Sequence, residues 1–153
     1  MIEKLLKLEN VITSVEVEKA EKEYAIKEIS KICSKEIGID SKILYENFMD
    51  REKLDSTGFG NGVAIPHAKI DGLKNPMIAI IKFSKKIEWD AIDDKPVNVV
   101  IPLIMPANDE GNLHLKIISS FARKLAHNEF IEKLNNEMDS LKLYNYIINE
   151  MGE

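Results

Sequence analysis

The chain has 153 residues, 44% of them apolar and 31% charged, with a formal net charge of −5; it suits one domain over residues 1–153 and argues against a nucleic-acid partner, which needs a dense Lys/Arg face. No apolar run approaches the ~20 residues that span a bilayer, and the acidic opening around Glu3 has no signal-peptide core. The single cysteine, Cys33, excludes an internal disulfide, so a cytoplasmic protein without membrane insertion is expected.

In chain order, a short β element is expected around Asn10 to Thr13. Residues 17–36 form a helix, because Ala25, Ile26, Ile29, Ile32, Cys33 and Ile37 recur at helical spacing and Gly38 ends the run. Cys33 shares a face with Ile26 and Ile29 and reads as a buried core thiol. A second helix covers residues 41–52, with Asp40 or Ser41 as cap and Ile43, Leu44, Phe48 and Met49 on its apolar side. Residues 55–62, Asp-Ser-Thr-Gly-Phe-Gly-Asn-Gly, read as a loop. Val63-Ala64-Ile65 is a short strand stopped by Pro66. Residues 77–83 open with five apolar positions and form a strand buried on both faces. A turn at 93–95 leads to a strand over 97–105, which tolerates Pro102 only near an edge or bulge. After a loop at 106–111, helices cover 113–126, 128–136 and 139–150, with Asn112, Asn128 and Asp139 as caps.

Helices before, between and after strands indicate an α/β chain folded as a three-layer α/β/α sandwich around a mixed sheet. Strands 63–65 and 77–83 lie too close for a helical crossover, so part of the sheet is antiparallel.

There are three histidines. His67 follows a strand that ends in Pro, which places it at the rim of a sheet, where sites of open α/β folds collect. The glycines of 55–62 can bring backbone N–H groups close to an anion. Locally, His67 reads as a nucleophile, a general base, a metal ligand, or a rim histidine bonded to backbone. His114 sits in the first turn of a helix if Asn112 is its cap, where the dipole favours a neutral ring that still donates one hydrogen bond. His127, near a helix end, reads as a surface residue. Arg51 closes the second helix with a fork suited to phosphate, and Glu52 can orient Arg51 or the imidazole. Metal-ligand spacings, a Walker loop and a dinucleotide glycine motif opening a helix are missing, so neither metal nor cofactor is expected.

Arg51-Glu52, followed by Ser56-Thr57-Gly58-Phe59-Gly60-Asn61-Gly62-Val63-Ala64-Ile65-Pro66-His67-Ala68, resembles the active-site signature of the fructose/mannitol-type enzyme IIA family (EIIA type 2) of the phosphoenolpyruvate-dependent sugar phosphotransferase system. His114-Leu115-Lys116-Ile117-Ile118 resembles the family's second histidine site. The resemblance implies that His67 takes a phosphoryl group on Nε2 from the phosphocarrier HPr and passes it to a cysteine of a cognate IIB component, in a system whose IIC component contacts fructose, mannitol, galactitol or another polyol. It implies that Arg51 and His114 line the phosphohistidine site, with Glu52, Thr57 and Asn61 as supporting candidates. Related IIA-like modules serve nitrogen regulation through the phosphorylation state of the same histidine, which is the alternative expectation.

Overall fold

The computed structural model describes residues 2–152. Its elements run α1 (Ile2–Leu5), β1 (Leu6–Val15), α2 (Lys22–Ile37), α3 (Ser41–Leu54), β2 (Gly58–Gly60), β3 (Val63–Ala64), β4 (His67–Ile70), β5 (Met77–Ile87), β6 (Val97–Val100), β7 (Leu103–Pro106), α4 (Leu113–Lys124), α5 (Asn128–Asn136) and α6 (Ser140–Met151). The strands form one mixed sheet. β5 runs through its middle, parallel to β1 on one side and antiparallel to β6 and β7 on the other. β6 and β7 pair in parallel with β3 and β4 respectively, and β2 folds back antiparallel on β3.

Proline explains why two of these lines are broken. Val63 lies opposite Val99, and His67 lies opposite Leu103. The register is therefore kept across both interruptions, and Pro66 sits beside Pro102. Each proline lacks the N–H that a continuous ladder needs. The neighbouring amides still cross the gap: Ile101 N–H donates to Ala64 O at 2.9 Å and Leu103 N–H to Pro66 O at 2.9 Å. The expected strand over 97–105 is thus two strands flanking Pro102, and His67, expected just past the end of a strand, begins a new one, β4.

Alternation fills both faces of the sheet. Val63, Ile65, Ile78, Ile80, Val99 and Ile101 point to a core closed by Phe121, Phe130, Leu134, Leu143 and Ile147 from α4, α5 and α6. Ala64, Ala79, Ile81 and Val100 point the other way, against Ile26, Ile29, Cys33, Leu44 and Phe48 from α2 and α3. Those two cores make the expected α/β/α sandwich, and they account for the unbroken apolar run that opens β5. Cys33 is fully buried, and burial, helped by Glu36, pushes its thiol up to about 12, so it packs rather than reacts.

Several boundaries move. β1 has ten residues rather than four, and β5 extends to Ile87. The helix expected from residue 17 starts at Lys22, because the backbone before it is engaged elsewhere: Glu88 N–H donates to Ala20 O at 2.9 Å, and Glu21 bridges Glu88. Asp40 and Asp139 cap α3 and α6 by accepting from Lys42 N–H and Lys142 N–H. Asn112 and Asn128 do not cap. Asn112 precedes α4 in a left-handed conformation, with no side-chain bond to the helix. Asn128 is the first residue of α5, behind His127. Residues 55–62 are not all loop, since β2 lies within them.

Gly58 opens β2 against a wall. A Cβ there would lie 2.6 Å from Ala91 Cα, 2.7 Å from Ala91 Cβ and 3.0 Å from Cδ1 of the buried Trp89. Two of these atoms cannot rotate away, so Gly58→Ala forces backbone to shift, at a cost of about 1–3 kcal/mol. The expected result is a lower urea midpoint, read through the fluorescence of Trp89, the only tryptophan. An unchanged midpoint would show that β2 slides freely over residues 89–91.

Candidate functional site

The site lies where α3, the β2 region, β4 and the start of α4 meet, around an open cavity of about 940 Å³. Arg51, Glu52, Thr57, His67 and His114 all line it. The paired proline break positions His67 by ending one strand and starting the next, so that the ring lies at the interruption rather than inside a ladder.

Two fixed partners settle which nitrogen of His67 carries the proton. Nδ1 lies 3.2 Å from the carbonyl oxygen of Ile65, and a carbonyl only accepts, so Nδ1 holds the hydrogen. Nε2 receives a hydrogen bond from Arg51 Nε–H at 2.9 Å, and a guanidinium only donates, so Nε2 presents its lone pair. Burial holds the His67 imidazole below its ordinary value. The Ile65 carbonyl pulls it back up, while Arg51 and His114 depress it further and Glu52 raises it slightly. Ring proton placement and the effect of burial therefore agree on a neutral imidazole whose Nε2 lone pair is free of a proton.

Arg51 is in the last turn of α3. Its Nη1–H donates to Asp55 O at 2.8 Å, which fixes the fork while Nε–H meets the imidazole. Glu52, the next residue, does not touch His67. Its carboxylate is nearly inaccessible, accepts from Thr57 N–H at 3.1 Å and from the Thr57 hydroxyl, and pairs with Lys22 Nζ at 3.0 Å. Thr57 O in turn accepts from Ile65 N–H at 3.0 Å. Glu52 and Thr57 thus brace the segment that delivers His67. Asn61 stands apart from the cavity. It is the left-handed turn residue between β2 and β3, its N–H donates to Asp93 at 3.0 Å, and its carbonyl accepts from Asn135 at 3.3 Å.

His114 enters from the other side, with its ring centroid 6.1 Å from that of His67. Its Nδ1 is hydrogen-bonded to the carboxylate of Asp109. The same carboxylate accepts from Leu113 N–H and His114 N–H, each at 3.1 Å. Asp109 therefore fills the capping role read for Asn112. It also takes the ring N–H that a neutral His114 was expected to offer. Asp109 was not singled out from the sequence. The available signal was an Asp four and five residues ahead of a helix start, and Asn112, nearer to the first turn, masked it. His127 is exposed at the start of α5, outside the cavity.

Exposed apolar side chains border the cavity: Phe59, Ile92, which is 83% exposed, and Leu115. Among the described residues no three His, Cys, Asp or Glu side chains are grouped to hold a metal ion, and no helix is long and apolar enough to cross a membrane.

The model of the phosphoenolpyruvate-dependent sugar phosphotransferase system EIIA 2 family matches residues 4–150. The chain is a member of the EIIA type 2 family. Relatives of this EIIA domain include nitrogen regulatory proteins and fructose-type EIIA components. A nitrogen regulatory protein of Klebsiella oxytoca is 35% identical over 152 residues, 96% of this chain and 93% of that protein. A fructose-specific EIIA component of a phosphotransferase system in Haloferax volcanii is 34% identical over 124 residues, 80% of each. The crystal structure of the nitrogen regulatory protein IIA-Ntr from Neisseria meningitidis superposes with a TM-score of 0.84 at 30% identity, over 94% of this EIIA domain and 97% of that chain. Membership of the family implies phosphoryl transfer through a histidine.

Proposed function

We propose that this EIIA domain accepts a phosphoryl group on Nε2 of His67 from the phosphohistidine of HPr. The observation that carries this reading is the proton arrangement of the ring: Nδ1–H is engaged by Ile65 O, and the Nε2 lone pair is directed toward Arg51 at the open cavity. In the transfer the Nε2 lone pair attacks phosphorus and a new N–P bond forms. The donor N–P bond breaks, and its electron pair stays on the donor imidazole. No proton passes between the donor ring and His67 in this exchange. Phosphoryl transfer has a loose transition state with charge on the peripheral oxygens, so the protein's task is to position and neutralise. Arg51 supplies the cation, and His114 lines the same cavity. Phe59, Ile92 and Leu115 give two successive protein partners an apolar rim to rest on, and contacts of that kind are small and transient.

Two outputs use the same site. The end-to-end likeness to nitrogen regulatory proteins supports a regulatory domain, whose phosphorylation state controls partner proteins. The likeness to a fructose-specific EIIA component supports a carrier that hands the group to a cysteine of IIB for sugar uptake. The test is incubation with phosphoenolpyruvate, enzyme I and HPr, then intact mass. One added phosphate, labile to acid and stable to base, is the expected product. Adding IIB and IIC of a fructose- or polyol-type system then separates the outputs: a carrier loses its label to sugar, and a regulatory domain keeps it.

Titration supplies a further expectation. The ordinary histidine value is about 6.5, and His67 lies below it. In NMR titrations of the three rings, the His67 midpoint is expected below about 6.5, so the nucleophilic form prevails throughout the neutral range. The unfolded chain binds this proton more tightly than the folded one. The contribution of His67 to stability is therefore complete above about 6.5 and is lost as the pH falls through the folded value. A midpoint above about 6.5 contradicts the arrangement.

A further inference from the structure

We infer that Asp109 is a positioning residue for phosphoryl transfer, which it serves by fixing His114 with Nε2 toward the reacting group and by balancing the charge that His114 takes on when it donates to a phosphoryl oxygen. This role rests on the phosphocarrier reading of His67.

Asp109 lies in the loop between β7 and α4. The Asp109 side chain is 4% exposed and that of His114 is 12% exposed. Both carboxylate oxygens are occupied: Oδ1 by Leu113 N–H, and Oδ2 by His114 N–H and the His114 ring. Burial pushes the Asp109 carboxyl up, but the hydrogen bonds from the His114 ring and from the two amides outweigh it and hold the group below its ordinary value. Asp109 is thus a retained anion, although it is almost out of contact with water. A capping carboxylate needs only the amides. The third bond, to the ring, ties the start of the helix to the orientation of one side chain.

The consequence is chemical. With Nδ1–H committed to Asp109, Nε2 is the nitrogen left to the cavity, and it has no hydrogen-bond partner among the described residues. A neutral ring in this tautomer shows a lone pair to an arriving phosphoryl oxygen, and two acceptors repel. A ring that takes a second proton on Nε2 from solvent at the open cavity donates instead, and the Asp109 carboxylate on the far side neutralises the imidazolium so formed. A histidine backed by a carboxylate is a recurrent way to fix tautomer and orientation. The 6.1 Å between the centroids of His67 and His114 suits two rings that share an anion rather than bond each other. Asp109 touches neither His67 nor Arg51, so whatever it contributes must pass through His114.

That dependence is what the experiment reads. Transfer from phospho-HPr to His67 is timed by rapid quench in the wild type, in Asp109→Asn, in His114→Ala and in the double variant. Asp109→Asn keeps an acceptor oxygen for the helix start and removes the charge. It is expected to slow labelling on the order of 10-fold, within the range for groups that orient a functional histidine. His114→Ala is expected to slow it at least as much while leaving some labelling. The double variant is expected to match His114→Ala within about twofold, because residues acting as one unit are not additive. In ring-nitrogen NMR of the wild type, His114 is expected to carry its proton on Nδ1, and Asp109→Asn is expected to shift that population. Three results overturn the role: an undiminished rate in Asp109→Asn, a loss in the His114→Ala background as large as in the wild type, or a wild-type His114 with a bare Nδ1. The ring spectrum decides even where a variant folds poorly. A wild-type chain that takes no label at all sinks the carrier reading itself, which is distinct from additive losses in a chain that labels normally.

Discussion

His67→Ala is expected to take no phosphoryl group from phospho-HPr, while Asp109→Asn and His114→Ala still label. Among the described residues, no other side chain at the cavity combines a neutral ring, an unprotonated nitrogen and a cation beside it. His114 lies across the same cavity, but its Nδ1 is tied to Asp109, and its Nε2 has no guanidinium donor like the one Arg51 gives His67. The loss should therefore be complete within detection, a factor of at least ~10³, or about 4 kcal/mol of barrier. Folding should survive, because His67 is only partly buried and its ring makes two polar contacts rather than packing in either core. The check is intact mass after incubation with phosphoenolpyruvate, enzyme I and HPr, beside a urea midpoint close to the wild type. Label on the alanine variant moves the acceptor to another residue, with His114 the first to examine.

The layers and the candidate acceptor were more legible in the sequence than the details between them. The helical spacing of Ile26, Ile29 and Cys33 and the apolar opening of β5 were sufficient for a sheet with a core on each face, because burial imposes those periodicities directly. Long-range pairing leaves no such local trace. Residues 17–21 have nothing against helix, yet Ala20 and Glu21 lie alongside Glu88. Pro66 was legible as the end of a strand. That it lies beside Pro102, so that His67 begins a new strand across the gap, depends on a register that neither segment shows alone. At the site, Arg51 and His67 could be singled out by residue type, and their mutual hydrogen bond is tertiary. Glu52 proved to be a brace for Thr57, and Asn61 a turn residue on the far side of β2, because a motif preserves order along the chain and not the direction in which each side chain points. Asp109 escaped notice for a related reason. A capping side chain can reach the helix from beyond the nearest polar residue, as Asp109 does past Asn112.

Arg51→Lys is expected to slow phosphoryl acceptance by about 10²-fold even though the charge is kept. Removing one preorganised donor to a developing anion typically costs ~10²–10³ in rate, and lysine cannot stand in for the geometry seen here. In the resting site Arg51 uses Nε–H on His67 and Nη1–H on Asp55 O, while Nη2 has no protein partner among the described residues. If His67 takes the phosphoryl group on Nε2, that nitrogen ceases to accept, which frees Nε–H and leaves Nη2–H available to donate to the phosphoryl oxygens, with Nη1 still anchoring the fork. An ammonium is a single point on a flexible stem. It can hold either the Asp55 carbonyl or the phosphoryl group, and it loses the planar two-donor face. Arg51→Ala separates charge from geometry. Burial is the largest cause of the depressed His67 value, and Arg51 is a smaller one. The NMR midpoint of His67 should therefore rise in Arg51→Ala but stay below about 6.5, whereas Arg51→Lys should leave it nearly where it is in the wild type. Rapid-quench rates and ring titrations on the two variants form one test. A lysine variant that transfers within threefold of the wild type would mean that Arg51 acts through charge alone, and the hydrogen bond to His67 would then be a feature of the resting state only.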